Sequence, residues 1–225
     1  MWILGLETAT WTASVGVVRD GHAVTERTRR SQSSHAPLIV SLIDEVLAEA
    51  GVGVGELDAV AVSAGPGSFT GLRIGVSTAK GLAFAVGAAI IAVPTLTALA
   101  RATGPRAGTV CTILDARKGE VYAAGFRWQD GRLEQTLAEQ AIAPAELSRV
   151  IHPPCTFIGD GVDVYEAVLR TQFADAVTLV PLAAAPPSGC VVAQIGAELI
   201  AAKVETALAT VEPYYVRPSE AELKA

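Results

Sequence analysis

The segment Gly65-Pro66-Gly67-Ser68-Phe69-Thr70-Gly71 has the residue types of an anion cradle. It stands between a short apolar run and a helical pattern. Glycines let backbone N–H groups converge, and a helix N-terminus favours negative charge. A phosphate could sit there. The Lys-Ser/Thr pair of a P-loop is missing, and the dinucleotide fingerprint is missing too. A tight strand-to-helix turn uses the same residues, and spacing alone does not choose between the two. Glu7-Thr8-Ala9-Thr10 is a second group. An acid with small hydroxylic neighbours at a strand end could hold magnesium and phosphate, or could be a polar strand end. Asp115-Ala116-Arg117-Lys118-Gly119-Glu120-Val121-Tyr122 is a third, with charges that suit phosphate or tRNA contacts or a solvated turn. Glu7, Thr8, Gly65, Gly67, Ser68 and Asp115 are therefore the candidate phosphate or nucleotide contacts, in vestigial form.

Other chemistries find little support. His22, His35 and His152 are isolated, without the i, i+4 partner of a helical metal pair. No GxSxG elbow and no Ser/His/Asp or Cys/His grouping stands out. Cys111, Cys155 and Cys190 are odd in number and far apart, which suits free thiols in a reducing compartment. No metal and no cofactor are expected. The net charge of −6 lacks the basic excess of a freestanding nucleic-acid binder. Arg27, Arg29 and Arg30 remain as a local basic patch or a solvated strand end.

The residues 1–7 have no basic n-region and meet an acid after six residues, unlike a signal peptide. Residues 81–100 carry no charge and match the length of a spanning helix. Gly87 and Pro94 interrupt them, so they read as a helix end, a buried strand and a helix start. A cytoplasmic protein without a membrane contact is expected.

The elements that must position these groups follow from periodicity. The chain has 225 residues, enough for one large domain or two small lobes. Residues 2–6, 12–18 and 23–28 read as an antiparallel meander, with a tight turn at Asp20-Gly21. Ser34 reads as the N-cap of a helix running to Ala50, with Pro37 in its first turn. Leu38, Ile39, Leu42, Ile43, Val46 and Leu47 form its wide apolar face. A strand over 59–63, a helix over 70–86, a strand over 89–93 and a short helix capped by Thr95 follow. Three antiparallel strands, then helix–strand–helix–strand, is the order of a ribonuclease-H-like lobe with helices on both faces of a mixed sheet.

Residues 103–108 read as a linker. Beyond it come a strand over 109–114, a hairpin of 119–128 with 133–140, helical residues 144–150 and 164–170, and strands over 156–158 and 177–180. This is a second, smaller α/β lobe. A final helix over 189–203 is expected to pack back on the first lobe. The domain reading is residues 1–103, 104–187 and 188–225.

One helix carries a further signal. Gly71, Gly75, Ala79, Ala83 and Gly87 recur every four residues and make a smooth stripe. A glycine inside a helix costs roughly 0.5–1 kcal/mol relative to alanine. Close approach of another helix, in the same chain or in another subunit, would return that cost. Arg73 and Lys80 lie nearly on one face and could edge such a contact. The stripe is read as a docking surface for a partner protein. A homodimer by two-fold self-pairing is expected in isolation.

Several segments together carry a resemblance. They are Met1–Thr10 ending in Glu-Thr-Ala-Thr, Ser34-His35, Gly65–Gly75, Asp115–Tyr122 and the tail Pro213-Tyr214-Tyr215-Val216-Arg217. With them the chain resembles the bacterial TsaB (YeaZ) family over essentially its whole length. The resemblance implies a two-lobed fold of the actin-like ATPase (ASKHA) type. It implies a non-catalytic scaffold or activator subunit for threonylcarbamoyladenosine modification of tRNA, with a TsaD-type transferase and a TsaE-type ATPase as partners and tRNA reached through the complex. It implies docking through the first two helices, here residues 37–50 and 70–86. The partner-binding residues expected on them are Leu38, Leu42, Glu45, Gly71, Arg73, Gly75, Ala79, Lys80 and Ala83. Matching the transferase's His-x-x-x-His metal pair onto this chain puts Thr95 and Leu99 at the two positions. The alternative is a magnesium-dependent ATPase or small-molecule kinase of the same fold, using Glu7, the glycine loop and Asp115.

Overall fold

The computed structural model describes residues 1–30, 36–204 and 207–216. The expectations for Ser34, His35 and Arg217 lie outside the described residues. In chain order the elements are β1 (Trp2–Glu7), β2 (Thr12–Arg19), β3 (His22–Arg30), α1 (Ala36–Ala50), β4 (Ala59–Gly65), α2 (Phe69–Val86), β5 (Ala89–Pro94) and α3 (Thr95–Ala102). They continue with β6 (Thr109–Arg117), β7 (Glu120–Gln129), β8 (Arg132–Ile142), β9 (Cys155–Gly159), α4 (Asp160–Phe173), β10 (Val177–Pro181) and α5 (Gly189–Ala201). The residues after Ala143 form a 3-10 turn rather than an α-helix, over Pro144–Arg149.

The chain divides into two compact units. The first holds Met1–Ala98 and Pro187–Tyr214, and the second holds Leu99–Pro186 and resumes at Tyr215. In the first unit the strand order is β3-β2-β1-β4-β5. β1, β2 and β3 pair antiparallel, while β1–β4 and β4–β5 pair parallel. β1 and β4 are central, and their apolar runs are buried on both faces. On one face Leu4, Leu6, Val15, Val60 and Val62 meet Ile39, Leu42 and Val46 of α1 and Val76, Ala79 and Ala83 of α2. On the other, Ile3, Ala59, Ala61 and Ile91 meet Val192, Ala193 and Ile195 of α5. The neighbours Ile3 and Leu4 thus point to opposite faces, as the strand period of two demands.

α5 lies unusually close to the sheet. A Cβ on Gly5 would stand 1.9 Å from the Gly189 carbonyl oxygen, and one on Gly16 would stand 2.3 Å from the Cys190 nitrogen. Only glycine admits that approach.

The edge strand β3 settles the basic patch. The Arg29 guanidinium donates to Glu45 at 2.8 Å, and Arg27 pairs with Glu49, both on α1. The Arg29 hydrogen bond holds the Glu45 carboxyl below its usual range. These arginines tie β3 to α1.

The second unit repeats the plan, with order β10-β9-β6-β7-β8. β6, β7 and β8 are antiparallel, and β9 and β10 join in parallel. Its core gathers Cys111, Ile113, Val121, Leu147, Phe157, Leu169 and Phe173. The fold is thus two ribonuclease-H-like lobes of the actin-like ATPase type, each a mixed sheet flanked by helices. All three cysteines are free and buried, and burial pushes the Cys190 thiol up to about 12. Residues 81–100 divide into the end of α2, β5 and most of α3. Among the described residues no helix is long and apolar enough to cross a membrane.

Candidate functional site

The first unit brings Glu7, Thr8, Gly65, Gly67 and Ser68 to one corner, at the ends of β1 and β4. Glu7 and Thr8 are 1% and 0% exposed. The backbone N–H of Ala9 donates to Glu7 Oε1 at 2.6 Å, and the Ser63 hydroxyl donates to Glu7 Oε2. The Ser68 N–H donates to the Ala9 carbonyl at 2.7 Å. The Thr8 hydroxyl donates to the Gly71 carbonyl at 2.8 Å. The Gly65 N–H donates to the Thr95 hydroxyl at 3.1 Å. Ser68 is the N-cap of α2, its hydroxyl accepting from the Gly71 N–H at 3.2 Å. These N–H groups, which a phosphate would need, bond to the chain itself. The glycines serve approach rather than a cradle. A Cβ on Gly67 would stand 2.5 Å from the Ala9 carbonyl oxygen, and one on Gly71 would stand 2.0 Å from that of Thr8.

Burial pushes the Glu7 carboxyl up from 4.5 to about 7, and its two hydrogen bonds only partly offset this. Between those two values the folded chain holds a proton that the unfolded chain has released. The Glu7 contribution to stability is therefore full below pH 4.5 and is lost as pH rises through about 7. Glu7→Gln keeps the acceptor for Ala9 and cannot ionise. It should match the wild type near pH 4.5 and exceed its stability at higher pH, by on the order of 3 kcal/mol above pH 7. Urea midpoints across that range measure the difference, and a difference that does not change with pH would refute the assignment.

The stripe of α2 does not face outward, contrary to the sequence expectation. Gly71, Gly75, Ala79 and Ala83 are all buried. A Cβ on Gly75 would stand 2.2 Å from Thr8 Oγ1 and 3.4 Å from Val62 Cγ2. The close neighbours are the end of β1 and the face of β4, not a helix of another subunit. Leu42 of α1 is likewise 0% exposed, in the core beneath both helices. Gly71, Gly75, Ala79, Ala83 and Leu42 are packing residues. Spacing alone reveals a close approach but not its direction. Gly87, the last of the series, is the left-handed C-cap of α2, at φ 72°.

The opposite face of α2 is the open one. Phe69, Arg73, Ser77, Gly81 and Phe84 are exposed on it, and Lys80 is half-buried. At 100° per residue these six fall within one third of the helix circumference. Phe84 is 78% exposed, the highest value of any large apolar side chain among the described residues. Arg73 lies over the Phe69 ring, 3.8 Å from its centroid. From α1, Val40 is exposed, while Leu38 and Glu45 are half-buried on the other flank of that helix. A groove of about 500 Å³ opens between the start of α1 and the first turns of α2, lined by Ala36, Phe69, Thr70, Arg73, Ile74, Ser77 and Thr78.

The comparisons agree with this architecture. The model of the tRNA N6-adenosine threonylcarbamoyltransferase (TsaD) family matches residues 27–225. The chain is 28% identical to the tRNA threonylcarbamoyladenosine biosynthesis protein TsaB of Bacillus subtilis, over 100% of this chain and 97% of the relative. It is 36% identical to the TsaB protein of Haemophilus influenzae, over 62% of this chain and 66% of the relative. The solved structure of YeaZ from Pseudomonas aeruginosa superposes with a TM-score of 0.78 at 25% identity, covering 95% of this chain and 99% of that one. The chain belongs to this family, in its TsaB (YeaZ) branch.

Against that family background two further placements matter. Asp115 lies in the second unit, at the turn from β6 to β7. It accepts from the Arg117 N–H at 3.0 Å and pairs with the Arg117 guanidinium at 3.1 Å. Its own N–H donates to Asp160 at 2.9 Å, and burial pushes the Asp160 carboxyl up. These contacts brace the turn, which holds Arg117 and Lys118 at positive φ. Thr95 and Leu99, at the positions matched to the transferase's histidines, do not fit a metal. The Thr95 hydroxyl is buried against Gly65, and Leu99 has no donor atom and is 1% exposed. Among the described residues no group of three His, Cys, Asp or Glu side chains could hold a metal ion.

Proposed function

We propose that this TsaB-family chain is a non-catalytic scaffold subunit in the threonylcarbamoyladenosine modification of tRNA. It docks a TsaD-type transferase on the exposed face of α2 and the adjoining part of α1. A TsaE-type ATPase joins the assembly, tRNA is reached through the complex in the cytoplasm, and the isolated chain pairs with itself through the same face. The observation that carries this reading is Phe84, 78% exposed on the same face of α2 as Arg73, in a chain whose relatives bear the TsaB name. Two others support it. The Glu7 corner spends its hydrogen bonds internally, which counts against nucleotide chemistry there. Thr95 and Leu99 offer no metal pair.

Of the residues expected to touch the partner, Arg73 and Lys80 belong to the proposed face, whereas Glu45 pairs with Arg29 of β3 and Leu38 shares that flank of α1. Phe69, Ser77 and Phe84 join Arg73 and Lys80. The test is reconstitution. A TsaD-type transferase with its substrates should modify tRNA at least about tenfold faster with this chain than without it, a gain equivalent to about 1.4 kcal/mol. Full modification without it refutes the scaffold role.

A further inference from the structure

The residues after α5 return to the site by a separate route. Leu208 packs on the core shared by α1, α2 and the sheet, and Val211 is 6% exposed within it. At Tyr214 the backbone reaches the loop that leads into α2. The Tyr214 N–H donates to the Ala64 carbonyl at 2.6 Å. A Cβ on Gly65 would stand 2.3 Å from the Tyr214 carbonyl oxygen, so the segment lies flat on Gly65. Gly65 has a φ of 132°, which glycine alone adopts without strain. The Tyr214 side chain itself is 52% exposed. What the fold uses here is the backbone of residue 214 and the side chain of Val211.

We propose that residues 208–214 are a strap that sets the position of α2, and thereby the affinity of its docking face. The inference rests on the docking reading above and adds Val211 and the Tyr214 N–H as positioning groups. Loop and helix are otherwise tied by Thr8 to Gly71, Ala9 to Ser68 and Thr95 to Gly65, all within residues 1–98. The strap supplies a tie that comes from beyond α5. It holds Ala64 and Gly65 by its backbone and places Val211 in the core shared with α1 and α2. Loosening it frees the first turns of α2, where Phe69 and Arg73 stand, while the sheet keeps its own hydrogen bonds. A partner must then order those turns on binding, and its affinity falls.

The test uses the full chain with three substitutions. Tyr214→Pro removes the N–H that reaches Ala64, Tyr214→Ala keeps it, and Val211→Asp puts a carboxylate into the core position. Two quantities are read: hydrogen exchange of the amides of Leu72 to Val76, and calorimetric affinity for a purified TsaD-type transferase. Tyr214→Pro and Val211→Asp should each speed exchange and weaken binding, by about tenfold, equivalent to about 1.4 kcal/mol. Tyr214→Ala should match the wild type in both. Unchanged exchange in Tyr214→Pro overturns the strap, as does faster exchange with unchanged affinity. If Val211→Asp fails to fold, Tyr214→Pro against Tyr214→Ala decides. Phe84→Asp separates the two readings. Binding that survives it refutes the docking face, and the exchange data still judge whether the strap positions α2.

Discussion

Gly75→Leu should strongly destabilise the first unit. A Cβ at that position already falls 2.2 Å from Thr8 Oγ1, before any larger atom is added. Thr8 cannot yield, because its side chain is 0% exposed and its hydroxyl is bound to Gly71. α2 cannot lift away either, since Val76, Ala79 and Ala83 share the core with Val60 and Val62. Overpacking typically costs 1–3 kcal/mol where side chains can adjust. Here the obstruction is a buried, hydrogen-bonded side chain with Val62 behind it, so the cost should exceed about 3 kcal/mol, a large part of the ~5–15 kcal/mol of an ordinary domain. Circular dichroism and the denaturant midpoint of the purified variant measure it. A midpoint equal to the wild type's would restore the stripe to a partner surface.

How much of this was legible in the sequence depends on what kind of signal each element gave. The meander, the alternation of helices with parallel strands and the second lobe were legible, because burial imposes period two on strands and period near four on α1. Their bounds shifted by a few residues at most ends. Ser68 stands in the glycine loop by sequence, yet it caps α2, a role that a Ser three residues before Gly71 signals. The small residues of α2 do mark a close approach, but of β1 and β4 rather than of the helix their spacing suggests. Their direction was not legible, since Gly and Ala carry no mark of whether a sheet or another helix lies opposite. The exposed aromatics of α2 are the converse. Phe84 and Phe69 look like core residues in a list, and only the helix orientation places them outside. The corner at Glu7 was half legible. Its residue types suggested a phosphate site, and only the hydrogen bonds from Ala9 and Ser63 reveal that the acid is bonded to its own chain.

Phe84→Asp should abolish partner binding and leave the fold intact. The side chain is 78% exposed, so its removal opens no cavity, and surface substitutions of this kind change stability by about 0.5 kcal/mol or less. At a docking face the same change removes an aromatic anchor and puts a charge against apolar surface. Truncating such an anchor typically costs 2 kcal/mol or more, about thirtyfold in affinity, and the added charge raises that figure. Ser77 and Gly81, exposed beside Phe84 on the same face, leave room for a partner to approach it closely. Calorimetry against a TsaD-type transferase reads the affinity, and a thermal melt reads the fold. Sedimentation of the same variant tests self-pairing, which should be lost in parallel if both contacts use one face. Val164→Asp is the control. Val164 is 57% exposed on α4, in the second unit, and its substitution should alter neither measurement. If Phe84→Asp binds as the wild type does, the exposed face of α2 is not the docking surface. Loss of binding in Val164→Asp instead would move that surface to the second unit. The two variants thus decide which unit meets the partner, by a comparison in which neither disturbs a core.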